Sequence, residues 1–284
     1  MAKSIAAYTM YGFEWLRADI RVFWAGVASR LNDAGMAGVP ARLSWKMPEE
    51  EQWQAPNLLL GQTCGYPMMK GLTGPLRLVV TPSYDVPYVE GSMYRSLIVV
   101  GEESDVTNIQ QLRGKVAAIN KTSSHSGYNA FRRLIADYVH QADRQWEAQS
   151  DRAGRRSFFS AVKTCGNHMG SMQAVATGKA DVAAIDAVSF HLIGQAKPDL
   201  KAALRILTTT LPAPGLPLVT AGIRSDADLA TLRSAVFDTL GDTDCRAALA
   251  KMGINGFQLL GRPAYLQVVD MERKSEDLGY PVLL

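Results

Sequence analysis

The chain has 284 residues, 47% of them hydrophobic and 20% charged, enough for about two domains with real cores and unlike a disordered or fibrous protein. Thirty Lys and Arg against 27 Asp and Glu leave a formal charge of +3, and the basic residues are scattered, which excludes a phosphate-tracking stripe for nucleic acid. Three well-separated cysteines, Cys64, Cys165 and Cys245, exclude a disulfide framework and a CxxC metal pattern, so no structural zinc site is expected; no cofactor is expected either.

Short β-branched runs alternate with helical patterns from the start. Ser4 to Thr9 reads as a strand, Glu14 to Asn32 as an amphipathic helix and Leu43 to Lys46 as a second strand. Further strands are expected at Leu58 to Leu60, Arg77 to Thr81, Arg95 to Val100, Lys115 to Asn120, Phe158 to Lys163, Val182 to Asp186 and Arg205 to Thr208. Helix-start signals fall between them, at Asp105 to Asn108, at Ser126 to Asn129 for a helix running to about Val139, and at Met169 to Gly178. The basic stretch Arg144 to Arg156 is broken by acidic residues and reads as a solvated helix and turn. A bend at Leu211 to Gly215 precedes the strand LPLVTAGI and closing helices. This alternation predicts α/β architecture with mostly parallel sheets. No clear linker interrupts it, so discontinuous domains are expected: a first lobe of residues 1–103 and 211–284, and a second of 104–210. Two crossover segments, near Glu102 and Thr210, would leave a cleft between the lobes.

The sharpest local feature is Thr122-Ser-Ser-His-Ser-Gly-Tyr-Asn129, where hydroxyls and a glycine precede a helix. Free N–H groups and the helix dipole there favour an anion, and Ser124, His125 and Ser126 could add donors. An ordinary N-cap loop has the same composition. A second junction, Thr164-Cys-Gly-Asn-His-Met-Gly-Ser171, sets His168 after a strand; taken singly, such a histidine is as well explained as structural. Leu60-Gly-Gln-Thr-Cys-Gly-Tyr-Pro67 displays Tyr66 on a tight turn and places Cys64 beside it. Tyr94 and Arg95 open another strand, with Arg95 a natural countercharge for a dianion, and Asp186 ends VAAID.

Taken together, LRGKVAAIN, SHSG, GNHMGSMQAVATGKADVAAID and LPAPGLPLVT resemble the phosphate/phosphite/phosphonate solute-binding proteins of ABC transporters. The resemblance runs over most of the chain and is strongest from Asp105 to Ala221. It implies the type II periplasmic-binding-protein-like fold, two α/β lobes with a central cleft and two crossovers. It also implies an oxyanion loop at Ser124, His125, Ser126 and Gly127, with His168, Asp186, Tyr66 and Tyr94 contacting the ligand. The family's central threonine is His125 in this chain, which puts a titratable group among the donors. The opening residues show no apolar leader core, and no window approaches about eighteen apolar residues, so neither a leader nor a membrane span is expected.

The expectation is therefore a monomeric binding protein that holds a small anionic ligand by hinge closure and serves an ABC transporter permease, with no nucleic-acid partner. The compartment is the periplasm if a leader was removed and the cytoplasm if Met1 is the native start. A competing reading is a cytoplasmic enzyme of cofactor biosynthesis on the same fold, using His125, His168, Asp186 and Cys64.

Overall fold

A computed structural model of the chain describes residues 4–147 and 157–284. The charge pattern of Arg144 to Arg156 falls outside the described side chains. The chain divides into two compact units, the first made of residues 1–93 and 214–265 and the second of 94–213 and 266–284. The chain passes between units at Met93/Tyr94, at Ala213/Pro214 and again within the helix Arg262–Asp277, where the sequence suggested two passages near Glu102 and Thr210.

The first unit is built on a five-stranded sheet in the spatial order Ile5–Ala6, Leu58–Gln62, Leu218–Ala221, Leu76–Tyr84, Ile254–Gln258. Only the first pair is parallel; the other three ladders are antiparallel, which corrects the expectation of mostly parallel sheets. A strand buried on both faces, such as Leu58–Gln62, carries the same apolar run in either direction, so its sequence does not state its partner. The strand expected at Leu43 to Lys46 does not form. Its contact with the sheet edge is one backbone bond, Ser44 N–H to the Ala6 carbonyl, while Leu43 is buried. Tyr265 plugs the core of this unit with Leu58, Met68 and Val219, its hydroxyl 2.8 Å from Thr81 Oγ1.

The second unit has a five-stranded sheet in the order Leu204–Thr209, Ser96–Gly101, Val182–Asp186, Val116–Ile119, Ala161–Thr164. The last three strands are mutually parallel, and Ser96–Gly101 runs against both of its neighbours. Ile98, Val100, Ala117, Ile119, Val182 and Ala184, at alternate positions of three strands, pack with Phe131, Ile135, Phe158 and Phe159. Phe158 and Phe159 are core plugs ahead of the strand Ala161–Thr164, so the strand starts three residues later than Phe158.

Connectivity in this unit sets where a ligand could sit. From Val116–Ile119 the chain runs through the helix Ala130–Glu147 to the outer strand Ala161–Thr164, then back through the helix His168–Ala176 to Val182–Asp186 on the other side. From there the helix Ala187–Ala196 leads onward, away from the parallel group, to Leu204–Thr209. Adjacent strands whose outgoing connections diverge leave a crevice at their carboxyl ends, the topological switch point of an open α/β sheet. Here that point lies between Val116–Ile119 and Val182–Asp186.

Candidate oxyanion site in the second unit

Three helices start at that carboxyl edge, each with its own side-chain cap. Ser124 Oγ accepts from Gly127 N–H at 3.1 Å, Asn167 Oδ1 from Gly170 N–H at 2.8 Å, and Asp186 Oδ1 from Ser189 N–H at 2.8 Å. Their uncapped N–H groups and dipoles make the edge locally positive. Because Ser96–Gly101 is antiparallel to Val182–Asp186, with Ser96 opposite Asp186, the preceding Tyr94 and Arg95 reach the same edge.

The first turn after Ser124 is a π-helical turn, His125–Asn129, closed by Asn129 N–H on the Ser124 carbonyl at 3.1 Å. The α-helix then runs from Ala130 to Glu147, longer than the periodicity suggested, and it is capped by Ser124 where Ser126 was expected to open it. The wider turn holds Ser126 against the next junction. Its Oγ lies 2.9 Å from His168 Nε2, and its carbonyl accepts from Ser96 Oγ at 2.9 Å. The same His168 nitrogen is 3.7 Å from Asp186 Oδ2 and 3.5 Å from Asn120 Nδ2. A Cβ on Gly127 would stand 2.7 Å from Asn120 Cγ and 3.3 Å from His168 Cε1, so only glycine admits this approach.

The structure thus gathers Ser126, His168 and Asp186, three residues expected from sequence. It adds Asn120, the residue that ends LRGKVAAIN, and Ser189. Tyr94 is buried with its ring 6.2 Å from that of His125. Arg95 donates to the Thr210 carbonyl at 3.2 Å. The Gly127 N–H is committed to the Ser124 cap rather than held open. Tyr66 and Cys64 lie in the first unit, both buried, at the short helix Gly65–Met69 and its cap. Among the described residues no group of three or more His, Cys, Asp and Glu is placed to hold a metal ion.

Ser126, His168 and Asp186 have the composition of a nucleophilic triad but not its geometry. In a triad the carboxylate orients the imidazole through the nitrogen remote from the serine. Here Asp186 approaches the nitrogen that faces Ser126, and its two oxygens already accept from Ser189 N–H and, at 2.7 Å, from Ser189 Oγ. The arrangement suits a set of fixed donors and acceptors around a bound group, not proton relay to a serine.

Burial pushes the His168 imidazole below its ordinary value, opposed by the Asp186 carboxylate and the Ala184 backbone. Burial also pushes His125 down, from 6.5 to about 4. Below pH 6.5 the unfolded chain takes up a proton at His125 that the folded chain refuses until about pH 4, so this contribution is intact above 6.5 and lost as pH falls to about 4. The shift corresponds to roughly 3 kcal/mol, and His168 acts in the same direction. Urea unfolding at pH 7 and pH 4.5 is expected to show a loss of that order, and His125→Gln is expected to flatten it; an unchanged slope in the variant would remove His125 as its source.

Comparison with known proteins identifies the family and the fold. Residues 60–262 match the family described as ABC transporter, phosphonate, periplasmic substrate-binding protein. Among solved structures, a binding protein component of an ABC phosphonate transporter from Pseudomonas aeruginosa aligns with TM-score 0.72 at 14% identity, covering 98% of this chain and 88% of that one. PhnD1 from Prochlorococcus marinus, solved in complex with methylphosphonate, aligns with TM-score 0.72 at 15% identity, covering 96% and 98%. A Xanthomonas citri protein bound to ATP aligns with TM-score 0.68 at 15% identity, covering 98% of each. These structural likenesses establish the two-lobed periplasmic-binding-protein fold. No curated protein matches the sequence.

Proposed function

The chain belongs to the phosphonate family of periplasmic substrate-binding proteins of ABC transporters, and from that premise we propose that it binds a small phosphorus oxyanion at the carboxyl edge of the second unit's sheet. The family's members are transport substrate-binding proteins, not enzymes. The observation that carries the site assignment is the meeting of Ser126, His168 and Asp186 at the switch point, where three capped helices begin.

In this reading Ser126 and His168 bond the oxyanion, with Ser124, His125 and the Gly127 turn shaping the loop around it. Arg95 supplies positive charge at the edge, Tyr94 backs the loop and Asp186 accepts from a protonated oxygen or an ammonium on the ligand. Tyr66 is carried as a ligand contact by the family resemblance alone. The two units correspond to the two lobes of such proteins. The protein works as a monomer in the periplasm, hands its ligand to a permease and has no nucleic-acid partner; no described helix is long and apolar enough to cross a membrane.

Ser126→Ala is the direct test. It deletes one hydroxyl from a loop whose cap and turn do not use it, so stability should change little. Loss of a hydrogen bond to a charged ligand, about 1.5–3 kcal/mol, should weaken methylphosphonate binding roughly ten- to hundred-fold by calorimetry. Unchanged affinity would place the site elsewhere. Burial holds His125 neutral well below physiological pH, so in this reading it meets the ligand as a neutral ring and should impose no change in affinity between about pH 5 and 8.

A further inference from the structure

We propose that Asn129, itself fixed by Arg132, locks the His125 imidazole as its Nε2–H tautomer, so that the oxyanion loop offers a neutral N–H donor at that position. Asn129 is then a positioning residue for the ligand, acting through His125; this rests on the function proposed above.

The argument is one of donor and acceptor bookkeeping. Asn129 is fully buried, and His125 and Arg132 are each 3% exposed. Arg132 Nη2 donates to Asn129 Oδ1 at 3.0 Å, and a guanidinium has nothing but donors. Asn129 Nδ2 donates to the Val268 carbonyl at 2.8 Å, and a carbonyl can only accept. Turning the amide over would set its NH2 against the guanidinium and its oxygen against the carbonyl, so its orientation is fixed from both ends. The second hydrogen on Nδ2 is therefore directed to His125 Nδ1, 3.2 Å away. A nitrogen that accepts carries no proton, and the ring proton of neutral His125 must sit on Nε2.

The rest of the cluster keeps Arg132 in place. Its Nη1 donates to the Pro281 carbonyl, Glu272 lies 3.4 Å from Nη2, and the guanidinium covers the Tyr128 ring at 5.3 Å. The groups facing His125 are thus the Tyr94 ring, the Asn129 amide and, behind it, the Arg132 and Glu272 pair. The π turn makes the contact: it sets residue 125 over residue 129, the member whose own N–H closes the turn. An imidazole locked this way differs from a hydroxyl in what it offers a ligand. A hydroxyl donates or accepts by rotation, whereas Nε2–H only donates, so this position requires an oxygen on the ligand that accepts.

The test is a two-bond proton–nitrogen correlation spectrum of the full chain with 15N-labelled histidine, recorded without ligand, with His125 assigned by its loss in His125→Gln. His125 should show a bare Nδ1 and a protonated Nε2 at neutral pH. An Nδ1–H ring, an imidazolium or an averaged pair would overturn the lock. Asn129→Asp places a group that only accepts at the same point, and it should move the proton to Nδ1, leave Nε2 bare and weaken methylphosphonate binding about tenfold or more. Wild-type affinity together with a moved proton would overturn the positioning role. The wild-type spectrum stands even if that variant does not fold. An Nδ1–H spectrum in a protein that binds methylphosphonate overturns the lock and leaves the function standing. An Nε2–H spectrum in a protein that binds no oxyanion supports the lock and overturns the function.

Discussion

Replacing Arg132 with methionine is expected to cost about 3–5 kcal/mol of stability, the range for removing one partner of a buried ion pair. The side chains of Arg132 and Glu272 are 3% and 10% exposed, so the variant leaves a carboxylate with little access to water. It also strips a donor from the buried Asn129 Oδ1 and from the carbonyl of the exposed Pro281. Adding Glu272→Leu should recover a large part of the loss, because an apolar pair of similar volume needs no countercharge. Urea midpoints of the single and double variants decide it. A single-variant loss below about 1 kcal/mol, the usual value of an exposed pair, would mean that the cluster does not anchor the turn His125–Asn129.

Gly127→Ala is the second large effect. A methyl group there meets the Asn120 amide well inside contact distance and crowds His168 Cε1, so the loop or Asn120 must move. Overpacking of this kind costs about 1–3 kcal/mol. The functional loss should be larger, because Ser126 sits beside the displaced residue and its 2.9 Å contact with His168 depends on the close approach. Methylphosphonate binding is expected to fall below detection by calorimetry while the protein stays folded by circular dichroism. Asn120→Ser in the same chain makes room for the methyl group and should restore part of the affinity. Wild-type binding by Gly127→Ala alone would show that the approach of the two loops is not needed.

Much of the second unit was legible in the sequence because its signals are local. VAAID ends in an aspartate that both terminates a strand and caps the next helix, and the serine-rich loop carries its own cap at Ser124. What the sequence could not state was partnership. Nothing near Leu58–Gln62 says that one neighbour runs parallel and the other antiparallel, and nothing near Leu43 says that its apolar contact lacks a ladder. The same limit hid part of the site. Asn129 lies four residues after His125, a readable helical spacing, but its meaning depends on Arg132 and on Val268, 139 residues further along. Asn120 matters because Gly127 packs against it, a contact between two ends of one loop that composition does not encode. His125 was legible as a titratable group in the loop but not as one that burial keeps neutral, since only the packed unit supplies that burial.

The most direct measurement is calorimetric titration of the purified wild-type chain with methylphosphonate, with phosphate, phosphite and sulfate as parallel titrants and 31P NMR of the recovered phosphorus ligand. One-to-one binding of a phosphorus oxyanion at about micromolar Kd or tighter, roughly 8 kcal/mol or more, with the ligand returned unchanged, is the expected result. Binding of none of them, or return of an altered phosphorus species, would contradict the assignment of this edge as a transporter's oxyanion site.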